Sequence, residues 1–266
     1  MDRIGLIAGN GKFPLLFARA AKKAKTQVVA VAIREETDPE LAALVDGIHW
    51  INVGQLKTLI DILKTEHVTK AVMAGQIRHK LLFSDIELDE ELKKLLLSLK
   101  DKRTDSILGA VALRLGQLGI QVIDSTTFIK DYLPAPGVLT QCLPSQAQSD
   151  DIEFGLSIAK TIAGADIGQT VVVKDKVVLS VEAIEGTDEA IRRGSAYCHG
   201  NAVVVKVSKP NQDMRFDIPL VGKNTIETLI REKVAVLAFE AGKTLLLDKE
   251  QVVTEANKHN ICIIAV

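Results

Sequence analysis

RIGLIAGNGKFPLLFARAAKKAKTQVVAVAI, residues 3–33, holds the reading that decides the fold. Arg3 to Ala8 is a short apolar run of strand length. Gly9, Asn10 and Gly11 interrupt it, and Pro14 opens a helix running to about Ala24. Proline suits a first turn because its missing N–H would lack a partner there anyway. Gln27 to Ile33 is a second buried strand. A strand, a glycine turn, a helix and a strand in succession make a crossover, which leaves the two strands parallel.

The same alternation continues outward. Asp38-Pro39 begins a helix, and Ile48 to Val53 reads as a strand. Gln55 to Glu66 is amphipathic, with Leu56, Leu59, Ile60 and Leu63 on one face. Lys70 to Ala74 is a strand ending at Gly75; a Leu-rich helix follows at 90–99, another from Thr104-Asp105 through Leu118, and a strand at Gln121–Asp124. Repeated alternation predicts an α/β first half with a parallel sheet. Leu133-Pro134-Ala135-Pro136-Gly137 then stops regular structure, dividing the chain into residues 1–133 and 134–266. The second half reads differently. A helix at 150–163, capped by Asp150 or Asp151, precedes Val171–Val173 and Val177–Val181, which flank Lys174-Asp175-Lys176 as a hairpin. Strands at 202–207, 234–238, 244–247 and 261–265, with helices at 224–232 and 249–259, make this half mixed α/β.

Composition narrows the function. The 266 residues are 47% apolar and 25% charged, which suits one large or two ordinary globular domains. A net charge of −1 gives no field that would gather nucleic acid or an anionic membrane, and 4% aromatics is too few for a base-stacking surface. Cys142, Cys198 and Cys262 share no CxxC spacing, so the cysteines suggest a reducing compartment rather than a disulfide framework. Cys198-His199 are neighbours whose side chains point apart on a strand, which favours an incidental role. No apolar run approaches the roughly 20 residues that cross a bilayer, and RIGLIAG begins without a signal-like region. The expectation is a cytoplasmic protein with at most peripheral membrane contact and no nucleic-acid partner.

The chemistry concentrates at 182–222. Glu182, Glu185, Asp188, Asp213 and Asp217 alternate there with Arg192, Arg193, Lys206, Lys209 and Arg215. Carboxylates can place a hard divalent cation, and cations can neutralise charge on phosphate oxygens, the combination phosphoryl chemistry needs. The bland alternative is a surface of exchangeable ion pairs. Arg215, Asp217 and Pro219 alternate with Phe216, Ile218 and Leu220, which reads as an extended edge. On such a segment Asp213 and Asp217 share a face and both approach one Mg²⁺, directly or through water. Lys206, Lys209 and Arg215 are spaced to line a groove wall. Glu185-Gly186-Thr187-Asp188 reads as a turn into a helix, with Thr187 or Asp188 as cap, or as a helix N-terminus aimed at an anion. Gly9-x-Gly11 is a candidate phosphate cradle, with a tight turn as the alternative. Gln76, Arg78, His79 and Lys80 follow a parallel strand, on the edge where such sheets bind ligands. Asp105 reads as a helix N-cap able to reach a ligand.

The chain resembles the UDP-2,3-diacylglucosamine pyrophosphatases of lipid A biosynthesis, in the form found in many bacteria that lack the calcineurin-like enzyme for that step. IAGNGKFP (7–14), AGQI (74–77), PAPGVLT (134–140), GQTVVV (168–173) and VEAIEGTDEAIRR (181–193) carry the resemblance. KPNQDMRFDIPLVGKNTI (209–226) and FEAGKTLLLDK (239–249) carry it most strongly, so that it runs essentially end to end. It implies a Rossmann-like N-terminal domain, a distinct C-terminal domain and a lipid substrate held between them. It further implies Mg²⁺-dependent hydrolysis, with Mn²⁺ as a substitute, to UMP and 2,3-diacylglucosamine 1-phosphate. Water would attack the α-phosphorus on the uridine side, in a homodimer. The essential aspartate of the family's RFD-x-P motif matches Asp217, and other family positions match Gly9, Gly11, Thr187, Asp188, Lys209, Gln212, Asp213 and Arg215. Arg78-His79-Lys80 departs from the basic-proline pair of many relatives. Two rival readings stand beside it: a nucleotide-dependent oxidoreductase, against which Pro14 speaks, and a non-catalytic nucleotide or lipid binder.

Overall fold

In the computed structural model, which describes residues 3–77, 87–101, 103–216 and 218–266, the apolar runs of the first half become strands of one parallel sheet. These are β1 (Arg3–Ala8), β2 (Gln27–Ile33), β3 (Gly47–Ile51), β4 (Lys70–Ala74) and β5 (Gln121–Val122), in the order β3-β2-β1-β4-β5. That order is doubly wound, and it reverses between β1 and β4. Helices α2 (Leu56–Thr65), α3 (Glu90–Leu97) and α4 (Thr104–Gln117) bury Leu59, Leu63, Leu95 and Leu115 against Val31, Ile33 and Met73. Helix α1 (Phe13–Lys23) buries Phe17 fully, with Pro14 in its first turn as expected. Asp38-Pro39 starts only a short 3-10 turn, Pro39–Ala43, with Asp38 accepting from the Glu40 N–H at 2.9 Å.

The second half builds a mixed six-stranded sheet. Its strands are β6 (Gly137–Val138), β7 (Thr170–Lys174), β8 (Val177–Val181), β9 (Val203–Lys206), β11 (Val236–Phe239) and β13 (Cys262–Ala265). They lie in the order β6-β13-β11-β9-β7-β8, with β9, β11 and β13 mutually parallel and β6 and β7 antiparallel to their neighbours. Helix α5 (Gln146–Gly164) covers Val171, Val173, Val203 and Val205 on one face. Helices α6 (Thr187–Ser195), α7 (Lys223–Arg231) and α8 (Lys249–Lys258) cover Val172, Val204, Leu237 and Ile263 on the other. Strands β10 (Leu220–Val221) and β12 (Leu245–Leu246) form a small parallel pair. Among the described residues no helix is long and apolar enough to cross a membrane.

Two local expectations change. Helix α5 begins at Gln146, because Ser145 and Gln148 close a reciprocal capping box that outcompetes a later start. Asp151 is therefore inside the helix, and its carboxylate takes the Asp175 and Lys176 N–H groups at 3.0 and 2.6 Å, pinning the β7–β8 turn. Strand β10 is also shorter than the extended segment read from the alternation around Arg215. Asp213 to Phe216 is a turn, closed by a Phe216 N–H to Asp213 carbonyl bond of 3.2 Å. Phe216 is buried in the first core, and that anchor overrides the strand-like alternation.

The chain divides into two compact units. The first holds the residues up to Lys130 and a return segment beginning at Asp213; the second holds Asp131–Gln212 and the residues from Ile218 onward.

Candidate functional site

The reversal point of the first sheet is closed by backbone. Gly9 N–H donates to the Ala74 carbonyl at 2.8 Å, and Asn10 and Gln76 exchange backbone bonds of 2.7 and 3.1 Å. A Cβ on Gly9 would lie 2.6 Å from the Gln76 carbonyl oxygen, and one on Gly75 would lie 2.5 Å from that of Asn10. Gly75 also holds φ +88°. These glycines serve close approach of two chain segments. Gly11, at φ +94°, faces open space instead. Thus Gly9, Asn10 and Gln76 come together through their backbones.

Next to it, the return segment docks on the ends of β4 and β5. Ser125 N–H donates to the Met214 carbonyl at 2.9 Å. Ser125 Oγ lies 2.7 Å from the Met73 carbonyl and 2.6 Å from that of Arg215, its one proton serving either. Arg215 grips Asp213 through Nε at 2.9 Å and a terminal nitrogen at 2.6 Å, and stacks over Phe216 with its guanidinium 5.6 Å from the ring centroid. The Arg215 hydrogen bonds hold the Asp213 carboxyl below its ordinary value, so it stays ionised. Both Asp213 oxygens accept from Arg215, in a turn rather than the extended edge expected here. Asp217 and Arg78-His79-Lys80 lie outside the described residues. Asp105 sits in the first turn of α4, whose N-cap is Arg103.

In the second unit the carboxyl edge is built by side chains. Lys206, at the end of β9 and 7% exposed, donates to Thr187 Oγ1 at 2.7 Å. Thr187 donates to Glu182 Oε1 at 2.8 Å, and the Gln169 N–H donates to Glu182 Oε2 at 3.2 Å. Burial raises the Glu182 carboxyl, but Lys206, Thr170, Thr187 and Gln169 outweigh it, and the net shift is downward. An ammonium and a carboxylate at this depth persist only because each has its partners. Gly186 is the N-cap of α6 and makes no side-chain cap, so Thr187 and Asp188 do not cap it as expected. Thr187 is instead drawn into the network with Glu182 and Lys206.

A second network begins one strand over. Glu240 follows β11; its Oε2 accepts from Lys160 at 2.6 Å and from the Ser208 hydroxyl and N–H at 2.6 and 2.9 Å. Burial opposes ionisation there, but Lys160, Lys243 and Ser208 bring the Glu240 carboxyl down to about 2. Lys209 pairs with Asp166 at 2.8 Å, and its N–H reaches Gln212 Oε1 at 3.0 Å. The three cations read as one groove wall thus have three different partners: Thr187, Asp166 and Asp213. Arg192 with Glu189 and Arg193 with Glu185 form the exchangeable surface pairs of the bland reading. Among the described residues no three His, Cys, Asp or Glu side chains gather to hold a metal.

Residue reading missed Ser208 and Glu240 as site builders, and named Glu182 only among the acids of 182–222. A signal for them existed: each follows directly, or two residues on, from the end of a strand whose carboxyl end lies on this edge.

Comparisons with known proteins agree along the whole chain. The family model described as the LpxI N-terminal domain matches residues 3–132, and that of the LpxI C-terminal domain matches 135–264. UDP-2,3-diacylglucosamine pyrophosphatase LpxI of Caulobacter vibrioides is 29% identical over 277 residues, covering 100% of this chain and 98% of that protein. Among solved structures, the biotin carboxylase domain of a thermophilic 2-oxoglutarate carboxylase bound to ADP shares 13% identity at a TM-score of 0.30. That match covers 65% of this chain and 35% of that one. Phosphoribosylglycinamide synthetase from Anaerococcus prevotii shares 11% at 0.28, covering 72% and 41%. The chain spans well under half the length of those two structures, and likeness at such scores carries no argument. The two domain models, taken in turn, account for nearly every residue, and the chain belongs to the LpxI family.

Proposed function

We propose that the chain is an enzyme that hydrolyses the pyrophosphate of UDP-2,3-diacylglucosamine, releasing UMP and 2,3-diacylglucosamine 1-phosphate in lipid A biosynthesis. One observation carries the reading: both LpxI domains match in order, and the Caulobacter relative matched over 98% of its length bears that activity in its name. The geometry is compatible. Phosphoryl transfer relies on positioned charge, and each unit presents fixed cations at the carboxyl edge of its sheet. Arg215, oriented by Asp213 and Phe216, is assigned to a pyrophosphate oxygen. Asp217 is assigned, on the RFD-x-P resemblance, to orienting the attacking water. The protein is proposed to act as a cytoplasmic homodimer, touching the inner membrane at most peripherally to collect its lipid.

Mg²⁺, with Mn²⁺ as substitute, is proposed as cofactor on the family resemblance. Mg²⁺ takes one or two carboxylates and fills its shell with water and phosphate oxygens; among the described residues Asp213, held by Arg215, would offer one.

The test is incubation of purified protein with UDP-2,3-diacylglucosamine and Mg²⁺. Release of UMP supports the reading, and intact substrate overturns it. Chelation should stop turnover and Mg²⁺ or Mn²⁺ should restore it; full activity after exhaustive chelation would remove the metal. Reaction in ¹⁸O-water then identifies the attacked phosphorus. Label in UMP supports the uridine-side attack expected from the resemblance, and label in the lipid phosphate overturns that part alone.

A further inference from the structure

Ser208 lies two residues beyond the end of β9 and is fully buried, and its three polar groups are held from far along the chain. Its N–H and its hydroxyl both donate to Glu240 Oε2, at 2.9 and 2.6 Å, and its carbonyl accepts from Lys160 Nζ at 3.0 Å. Lys160 Nζ also donates to Glu240 Oε2 at 2.6 Å, which closes the clamp. The two residues before Ser208 are pinned as well. The Glu240 N–H donates to the Lys206 carbonyl at 3.2 Å, and the Val207 N–H donates to that of Gln169 at 2.8 Å. Directly after Ser208, Lys209 and Gln212 are tied to each other. The Lys209 N–H donates to Gln212 Oε1 at 3.0 Å, and the Gln212 N–H to the Lys209 carbonyl at 3.1 Å. Lys209 Nζ meets Asp166, two residues past α5, at 2.8 Å. Helix α5 therefore holds Ser208 through Lys160, and the residues just past its end hold Lys209.

Stability alone is a weak reason for such a clamp. Replacing a buried ion pair by apolar side chains of similar volume is often neutral or stabilising. A role in proton transfer is weaker still. Burial opposes ionisation of Glu240, yet Lys160, Lys243 and Ser208 bring it down to about 2, so near neutral pH it has no proton to give. What the pair does supply is one fixed backbone position, and supporting groups of this kind hold a binding constellation in place. The position it fixes is the root of Lys209 and Gln212.

We propose that Glu240 and Lys160 are positioning residues: by clamping Ser208 they fix the backbone from which Lys209 and Gln212 reach the substrate, and so govern substrate affinity without touching the substrate. The proposal rests on the function above, and on the substrate-binding role that the family resemblance implies for Lys209 and Gln212.

The experiment is calorimetric binding to the full chain of a UDP-2,3-diacylglucosamine analogue in which CH₂ replaces the bridging oxygen of the pyrophosphate. It is run well below the melting temperature of every variant. Glu240→Gln keeps the volume and removes the charge, and should weaken binding about tenfold. In a Lys209→Ala, Gln212→Ala background, itself weaker than wild type, the same substitution should cost less than about twofold, because the groups it positions are gone. With the true substrate the loss should fall on KM, leaving kcat within about twofold. A clamp that only stabilises would lower the melting temperature and leave affinity unchanged. If Glu240→Gln does not fold, Lys160→Met carries the same cycle, since it leaves both Glu240–Ser208 bonds in place. Unchanged affinity in the folded variant, an equal loss in both backgrounds, a loss in kcat alone, or no binding by the wild type overturns the proposal. Its failure and that of the function are distinguishable. A wild type that binds the analogue but releases no UMP refutes the hydrolysis alone, and an active enzyme whose affinity ignores the clamp refutes the clamp alone.

Discussion

The two sheets end at their carboxyl edges in opposite ways. In the first unit, backbone meets backbone: Gly9 and Gly75 let two segments approach until Asn10 and Gln76 exchange hydrogen bonds. In the second, side chains meet: Lys206, Thr187 and Glu182 form one buried network, and Lys160, Ser208 and Glu240 another. An edge made of backbone is sensitive to volume and indifferent to pH. An edge made of buried charges tolerates modest volume changes but responds to protonation. Each contrast can be measured.

The largest effect should come from Asp217. If the edges position a reaction that one carboxylate carries, Asp217→Ala should lower turnover by on the order of 10³ or more while the protein stays folded. A folded variant keeping more than about a tenth of the wild-type rate would return the chemistry to the edges.

Next comes volume in the first unit. Gly75→Ala adds a Cβ 2.5 Å from a carbonyl oxygen at φ +88° and should cost about 3 kcal/mol or more in urea unfolding. Gly11→Ala, with strain but no neighbour, should cost about 1–2 kcal/mol. Equal losses would mean that close approach contributes nothing and that backbone conformation alone explains the glycines.

A smaller effect belongs to pH in the second unit. The folded Glu240 carboxyl is depressed from the ordinary 4.5 to about 2, so its stabilisation is present above 4.5 and is lost as pH falls toward about 2. Glu240→Gln should be less stable than wild type at neutral pH and should lack that part of the acid dependence. Parallel melting curves across the window would show that the network is inert. The smallest effect has the opposite sign. The Asp188 carboxyl is raised, so its ionisation opposes folding and stability falls as pH rises through its folded value. Asp188→Asn should therefore melt slightly higher than wild type at pH 7, and a lower melting temperature would show that the carboxylate has a partner that stabilises it.

The elements were legible where burial is uniform. Arg3–Ala8, Gln27–Ile33 and Lys70–Ala74 are strands at the bounds their apolar runs suggest, since a parallel sheet covered on both faces leaves no polar positions to blur them. Caps and turns were less legible. Thr187 reads as a cap but is recruited by Glu182 and Lys206, and Arg215 reads as part of a strand but sits in a turn that Phe216 anchors. In each case a partner distant in sequence outcompeted a local preference.

By itself the sequence determined the α/β class, the direction of the first sheet, the glycines at its reversal point and the family motifs. These follow from composition and spacing over a few residues, which short-range sterics and hydrophobic burial translate directly into structure. Only the tertiary structure decided which charges meet. Lys206 finds Thr187 across 19 residues, and Lys160 finds Glu240 across 80. Those pairings depend on β8, β7, β9 and β11 lying side by side in that order, and strand order is settled by packing of the whole sheet against its helices, which no local spacing records.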